Sequence, residues 1–255
     1  MWRRLAVNKE TVIAFGGLAL AWQIASAFTP PYLFPSIPAI VERFVDIFAS
    51  GSLLLDATAT AARILGGLLG AFLIGALLAF VMAKWEAANR YLYPLLHFNQ
   101  GIPALSWVVI SIIWFKTTEF RIWFIMVATT LPAFTFQILD SYRSISKDLL
   151  EMALSFRPSR YDLARTLILP TVVPGILTAW KVNLGNASRV VVVAELVGAT
   201  GGVGYQLLQM QQLFDMAGAL AWTLMLVLFV LVAQQVITLV EDRVLRYRAS
   251  AERGI

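Results

Sequence analysis

Apolar residues run through this chain in long blocks, and charge is confined to the short stretches between them. Six blocks, over residues 11–28, 53–83, 92–115, 122–141, 171–196 and 216–240, are long enough to cross a bilayer. A crossing takes about 20 helical residues. No block alternates with period two, so the element predicted for each is the helix, which satisfies its own backbone groups in lipid. The second block exceeds what a crossing needs, which predicts tilt or a start outside the hydrocarbon. The pattern predicts an all-α, polytopic membrane bundle of about six transmembrane helices.

The polar stretches carry smaller elements. Ser36 is placed to cap a helix with Pro38 in its first turn. Ile40, Val41, Phe44, Val45 and Phe48 then share an apolar face opposite Glu42, Arg43 and Asp46. That face reads as a short interfacial helix or, alternatively, a solvated connector. Residues 142–170 form a charged, helix-forming insert in which 144–154 and 159–167 read as two short helices split at Pro158. Ser159 caps the second, with Asp162 completing an approximate capping box. The stretch Gly201-Gly202-Val203-Gly204-Tyr205 follows no strand, so it is not a dinucleotide fingerprint. It predicts a tight turn into a re-entrant or interfacial helix over 205–214.

Several residues interrupt the blocks. Asn99, Gln100 and Pro103 break the third at mid-depth, Pro132 falls in the fourth, and Pro174-Gly175 lies early in the fifth. Broken spans with polar residues at the break line a path or pack a neighbour. Gly66 and Gly70 form a small-xxx-small pair, a signal for close helix contact.

Composition narrows the class. The 255 residues are 59% hydrophobic and 14% charged, against about 25% charged in soluble domains. The net charge of +5 has no soluble domain on which to form a nucleic-acid patch. Its placement sets an orientation instead. With the N-terminus inside, fourteen Lys and Arg flank the blocks on the cytoplasmic side and only Arg43, Lys116 and Arg121 on the outer side. Both termini are therefore expected in the cytoplasm. Arg3-Arg4 before the first block and Ala25-Ser26-Ala27 after it also fit a cleavable signal peptide. An uncleaved anchor is the reading adopted, and either leaves the other spans oriented alike.

The chemistry points away from catalysis. There is no cysteine, His97 is the single histidine, and no catalytic or metal-ligand constellation is visible. The chain is expected not to be an enzyme. Arg63, Lys181, Arg189 and Glu195 fall inside spans, where each charge costs roughly 2.5–3.5 kcal/mol on insertion scales. They are expected to face the bundle interior, a watery path or one another. Arg189, ahead of four valines, is either an anion-attracting group on a path or a structural cation. Asn99, Gln100, Arg189 and Glu195 are the candidate path residues.

The insert resembles the Glu-Ala-Ala loop of bacterial ABC importer permeases. Glu151 and Ala153 match that pattern, Met152 replaces the middle Ala, and Leu167-Ile168-Leu169-Pro170 closes at the expected distance. Arg157 stands where the pattern has Gly. Further segments resemble the nitrate/sulfonate/taurine/bicarbonate branch: Leu33-x-Pro35-Ser36-x-Pro38, Ile102-Pro103-Ala104, Ile113-Trp114-Phe115, and Glu195-x-x-Gly198-Ala199 with Gly202-Val203-Gly204-Tyr205. Lys116 and Gln100 depart from it, where the branch has Gly and often Arg.

The resemblance implies one transmembrane permease domain over 1–255, in a bacterial inner membrane, with a cytoplasmic coupling loop over about 142–170. Glu151, Ala153, Arg157, Ser159, Leu169 and Pro170 would be its ATPase-coupling residues. Implied partners are ATP-binding cassette ATPase subunits, a second permease copy, a periplasmic or lipid-anchored substrate-binding protein, and membrane lipid. No cofactor is expected in this chain, since ATP and Mg belong to the ATPase. The implied solute is a small organic or inorganic anion, or alternatively a vitamin precursor. An ATP-independent secondary transporter and a structural scaffold are the readings from other classes. The first lacks a visible repeat or paired intramembrane charges, and the second leaves the loop spacing unexplained.

Overall fold

Local capping opens some of the helices: Ser159 accepts from the Asp162 amide and Asp215 from the Gly218 amide. The structure, a computed structural model, describes residues 9–49 and 51–245, without the side chains of 52–54. The helices are α1 (Lys9–Ala27), α2 (Ile37–Ala49), α3 (Ser52–Lys84), α4 (Glu86–Gln100), α5 (Ala104–Trp114), α6 (Thr118–Arg143), α7 (Lys147–Ser155), α8 (Arg160–Leu163), α9 (Leu169–Leu196), α10 (Val203–Gln212) and α11 (Met216–Val244). Five of them are long and apolar enough to cross a membrane, and α4 with α5 makes a sixth as a bent pair. The predicted all-helical bundle of about six spans is what forms. Arg3, Arg4, Arg246, Arg248 and Arg253, used above for orientation, lie outside the described residues.

The segment 37–49 is a helix rather than a connector. Ser36 Oγ accepts from the Ala39 amide at 3.4 Å, and Gln23 Oε1 accepts from the Ile37 amide at 3.1 Å. Trp22 stacks on Phe34 and donates to the Pro35 carbonyl, which fixes the bend between α1 and α2. Phe44 and Ile47 of α2 pack on Val203, Trp222 and Met225.

The centre is α3, α6 and α9, around Ile64, Leu68, Met126, Phe134, Leu184 and Val191. Close approach of α3 and α6 follows from small residues, and Gly66 of the expected pair is one of them: a Cβ there would stand 2.8 Å from Trp123 Cη2. A Cβ at Gly67 would stand 2.6 Å from Met126 Cβ, and one at Gly75 would stand 3.1 Å from Phe134 Cβ. Gly70 has ordinary contact distance, 3.6 Å from Val127. The buried stripe is Gly67, Ala71, Gly75 and Ala79, every fourth residue, one position along from the predicted pair.

The third block, predicted as one span with a break, is two helices meeting at 97°. Pro103 has no N–H and biases Ile102 away from helix, so the ladder ends after Gln100 and restarts at Ala104. Pro132, by contrast, does not break α6. It deprives the Ala128 carbonyl of its helical donor, and Asn99 Nδ2 of α4 supplies one at 2.9 Å. Pro174 likewise lies within an unbroken α9.

Candidate functional site

Three places carry polar chemistry, and the spans position each. The first is the segment between α6 and α9. α7 buries no residue. It ends at Ser155 with Phe156 as its C-cap, after which Arg157 takes the left-handed conformation, with φ +48°. Pro158 then separates the helices. Ser159 caps α8 as expected: its Oγ accepts from the Asp162 amide at 3.1 Å and donates to Asp162 Oδ2 at 2.6 Å. A widened π-helical turn, Ala164–Ile168, leads into α9. Such turns are rare and recur at functional places. Leu169 and Pro170 open α9 itself. Glu151 is exposed on α7, and Ala153 is half-buried beside it. Met152, Phe156 and Tyr161 are 57%, 79% and 68% exposed, an uncovered apolar surface set among Glu151, Arg157 and Arg160.

The second place is a recess of about 700 Å³ between α4, α6, α9 and α11. Arg189, Lys181 and Asn186 enter it from α9, Gln100 from the end of α4, and Gln234 and Thr238 from α11. The two cations differ. Lys181 Nζ is paired with Glu241, whereas Arg189 is exposed and has no ion pair among the described residues. The structure thus brings together Gln100 and Arg189 of the predicted path residues. Asn99 does not line the recess, since its amide is turned to the Ala128 carbonyl.

Glu195 belongs to the third place, at the end of the bundle remote from α7. Its side chain is fully buried. It accepts from Arg63 Nη1 at 2.7 Å, from Thr60 Oγ1 at 2.8 Å and from the Gly204 amide at 2.8 Å. Arg63 reaches onward to the Gly201 carbonyl at 2.7 Å and, through Nε, to Glu119 at 3.1 Å. Asp56 Oδ1 accepts from the Gly202 amide at 2.7 Å and Oδ2 from Gln206 at 2.6 Å. Asp56, Thr60 and Arg63 lie one helical turn apart on a single stripe of α3. That spacing was legible in the sequence, but nothing there pointed to its partners 132–150 residues away. Two of the four intramembrane charges therefore meet each other, a third meets Glu241, and Arg189 faces the recess.

Comparison with known proteins gives the following. The family model described as binding-protein-dependent transport system inner membrane component matches residues 71–246. The formylaminopyrimidine transport permease protein of Halalkalibacterium halodurans is 30% identical over 216 residues, covering 83% of this chain and 85% of that protein. The taurine transport system permease protein of Escherichia coli K12 is 26% identical over 213 residues, covering 79% and 77%. A solved structure of the MetNI methionine ABC transporter, inward facing, has a like fold. Its TM-score is 0.59 at 19% identity, over 78% of this chain and 97% of that one.

Proposed function

The chain belongs to the binding-protein-dependent transport system inner membrane component family, and on that premise we propose that it forms the membrane path for a small anionic solute. As a member it is a multi-pass permease subunit of an ABC importer, not an enzyme, and ATP hydrolysis is the work of a separate ATPase subunit. Solutes with a sulfonate head are the class favoured; taurine, the solute in one relative's name, carries that anionic group beside an ammonium.

The observation that carries the anion reading is Arg189. A cation on a spanning helix is costly against lipid and has to meet protein, water or a counter-charge. Arg63 and Lys181 have carboxylate partners, whereas Arg189 stands open in a recess lined by Gln100, Asn186 and Gln234. Side-chain amides orient a solute, and a cation held away from bulk water attracts an anion more strongly than one in solution. A second copy facing this surface of α9 would close the recess into a path.

Energy would enter at residues 147–170. Exposed Met152, Phe156 and Tyr161 offer apolar area to a docked ATPase. Glu151 can accept charge-assisted hydrogen bonds there, and Ala153, Arg157, Ser159, Leu169 and Pro170 shape the two helices and their entry into α9. ATP and Mg would stay in that partner. A periplasmic or lipid-anchored binding protein would deliver the solute to the opposite face. Formylaminopyrimidine, the solute named for another relative, is the second reading.

The test is uptake of labelled taurine and of labelled formylaminopyrimidine by the complex with its ATPase and binding protein in vesicles. Arg189→Gln should lower anion uptake about tenfold or more, a loss of about 1.4 kcal/mol of interaction. Arg189→Lys should lower it less, and basal ATP hydrolysis should stay within about twofold of wild type. Normal anion uptake by Arg189→Gln would place the path elsewhere, and failure to insert would make Arg189 structural. Uptake of formylaminopyrimidine alone, unaffected by the substitution, would favour the second reading.

A further inference from the structure

The most heavily bonded charges of the described chain lie far from the recess, where α3 and α6 begin and α9 ends. Glu195 has three donors and Arg63 three acceptors, and the segment between α9 and α10 threads through them. The amides of Gly202, Val203 and Gly204 are each held by a side chain from elsewhere: Asp56 at 2.7 Å, Thr60 at 2.8 Å and Glu195 at 2.8 Å. Those amides open α10, and the positive end of its dipole is covered by the chain's own carboxylates. The start of α10 is thus already occupied and offers nothing to a passing anion.

The turn is shaped to the network. Gly202 has φ +114°, and a Cβ there would stand 2.5 Å from Glu195 Oε1 and 2.7 Å from Arg63 Nη1. A Cβ at Gly204 would meet Glu195 Cβ and the Val192 carbonyl, both at 2.6 Å. Only glycine admits α10 this close to α9. A buried ion pair adds little stability over apolar packing, but it fixes which groups face one another. Apolar residues in its place would let α10 slide along α3, whereas this network has one register.

We infer that Arg63 and Glu195 are positioning residues for transport: with Asp56 and Thr60 they clamp α10 onto α3 and α9 and keep that end of the bundle one rigid unit through the cycle. The inference does not depend on the solute class. It requires that the clamp stay closed while the recess and the loop at 147–168 change shape. Residues in the clamp act through α10 and touch no solute.

The chain has no cysteine, which permits a clean test. Glu195→Gln leaves Arg63 without its buried counter-charge and presents an amide to the Gly204 N–H. In the complex with its ATPase and binding proteins in vesicles, this variant should exchange the amides of Gly202, Val203 and Gly204 at least tenfold faster. Exchange over 147–165 should not change. ATP turnover should fall at least fivefold with KM for ATP unchanged, a split that mere loss of assembled complex would not give when activity is referred to assembled protein. Adding Thr60→Cys with Val203→Cys, oxidised to a disulfide, should restore turnover to within twofold of wild type. Unchanged exchange and turnover in the assembled Glu195→Gln complex would overturn the inference. So would loss of turnover on oxidising the cysteine pair with Glu195 intact, since the clamp would then have to open. Turnover of the oxidised pair at or above that of the reduced pair, which has lost the Thr60 hydroxyl, supports it even if Glu195→Gln fails to insert.

Discussion

Arg157 shows how much a single departure from a pattern can say. The resembling loop has glycine at this position, and Arg157 takes φ +48°, the region glycine enters without penalty. The residue follows α7 at the place where helices commonly end in that conformation. A side chain there costs about 1–2 kcal/mol. Arg157→Gly should therefore raise the thermal midpoint of the detergent-solubilised protein by roughly 2–4 °C, whereas Arg157→Val should lower it. Asn99 teaches a different lesson. The sequence marks it as a polar residue at a break and suggests a path, but its donor serves the carbonyl that Pro132 leaves open. That bond crosses 29 residues of sequence and is set by packing, which no local spacing encodes. Asn99→Leu should cost about 1 kcal/mol by leaving a part-buried carbonyl unsatisfied. Pro132→Ala restores the helical N–H, so the double variant should recover most of the loss in thermal unfolding. Additive losses would mean that the two sites do not share the Ala128 carbonyl.

At the scale of elements, length and punctuation were legible and geometry was not. The apolar blocks gave the spans because crossing lipid fixes a minimum length, and Ser36 and Ser159 gave helix starts because capping is local. Pro103 announced the break between α4 and α5, but the 97° turn depends on what both halves pack against. Of the Gly66/Gly70 pair Gly66 is tight against α6 and Gly70 is not, while Gly67 and Gly75 are, since which small residue faces α6 is a matter of rotation about the helix axis. α7 is the element whose exposure asks for a partner. None of its residues is buried, and Glu151 and Met152 are both exposed. Glu151→Lys reverses a charge in an exposed helix and should leave insertion and the fold intact. Copurification of the ATPase with this variant should fall about tenfold, or ATP turnover should lose its response to loaded binding protein. Normal assembly and normal transport would remove Glu151 from the contact.

For the whole molecule, the question is which way the bundle stands in the membrane. The ends of α3, α6 and α11 and the starts of α4, α7 and α9 lie together, and the starts of α3, α6 and α11 lie at the other end. Nine of the fourteen Lys and Arg assigned to the first end are in described residues: Lys9, Lys84, Arg90, Arg143, Lys147, Arg157, Arg160, Arg165 and Arg243. The other end carries Arg43, Lys116 and Arg121. Helix sense alternates consistently, so one loop placed on the cytoplasmic side places them all. Excess Lys and Arg resist translocation, so the nine-cation end is expected inside, with α7 where an ATPase would reach it. On that orientation the Arg63–Glu195 clamp would face outward, with the Arg189 recess between the two ends. A reporter fused at Asp148 should read cytoplasmic and one at Thr117 should read external. The reverse result at Asp148 would put α7 on the wrong side for ATP, and the role proposed for Glu151 would go with it. The geometry of the clamp would stand, because its bonds do not depend on which side of the membrane they face.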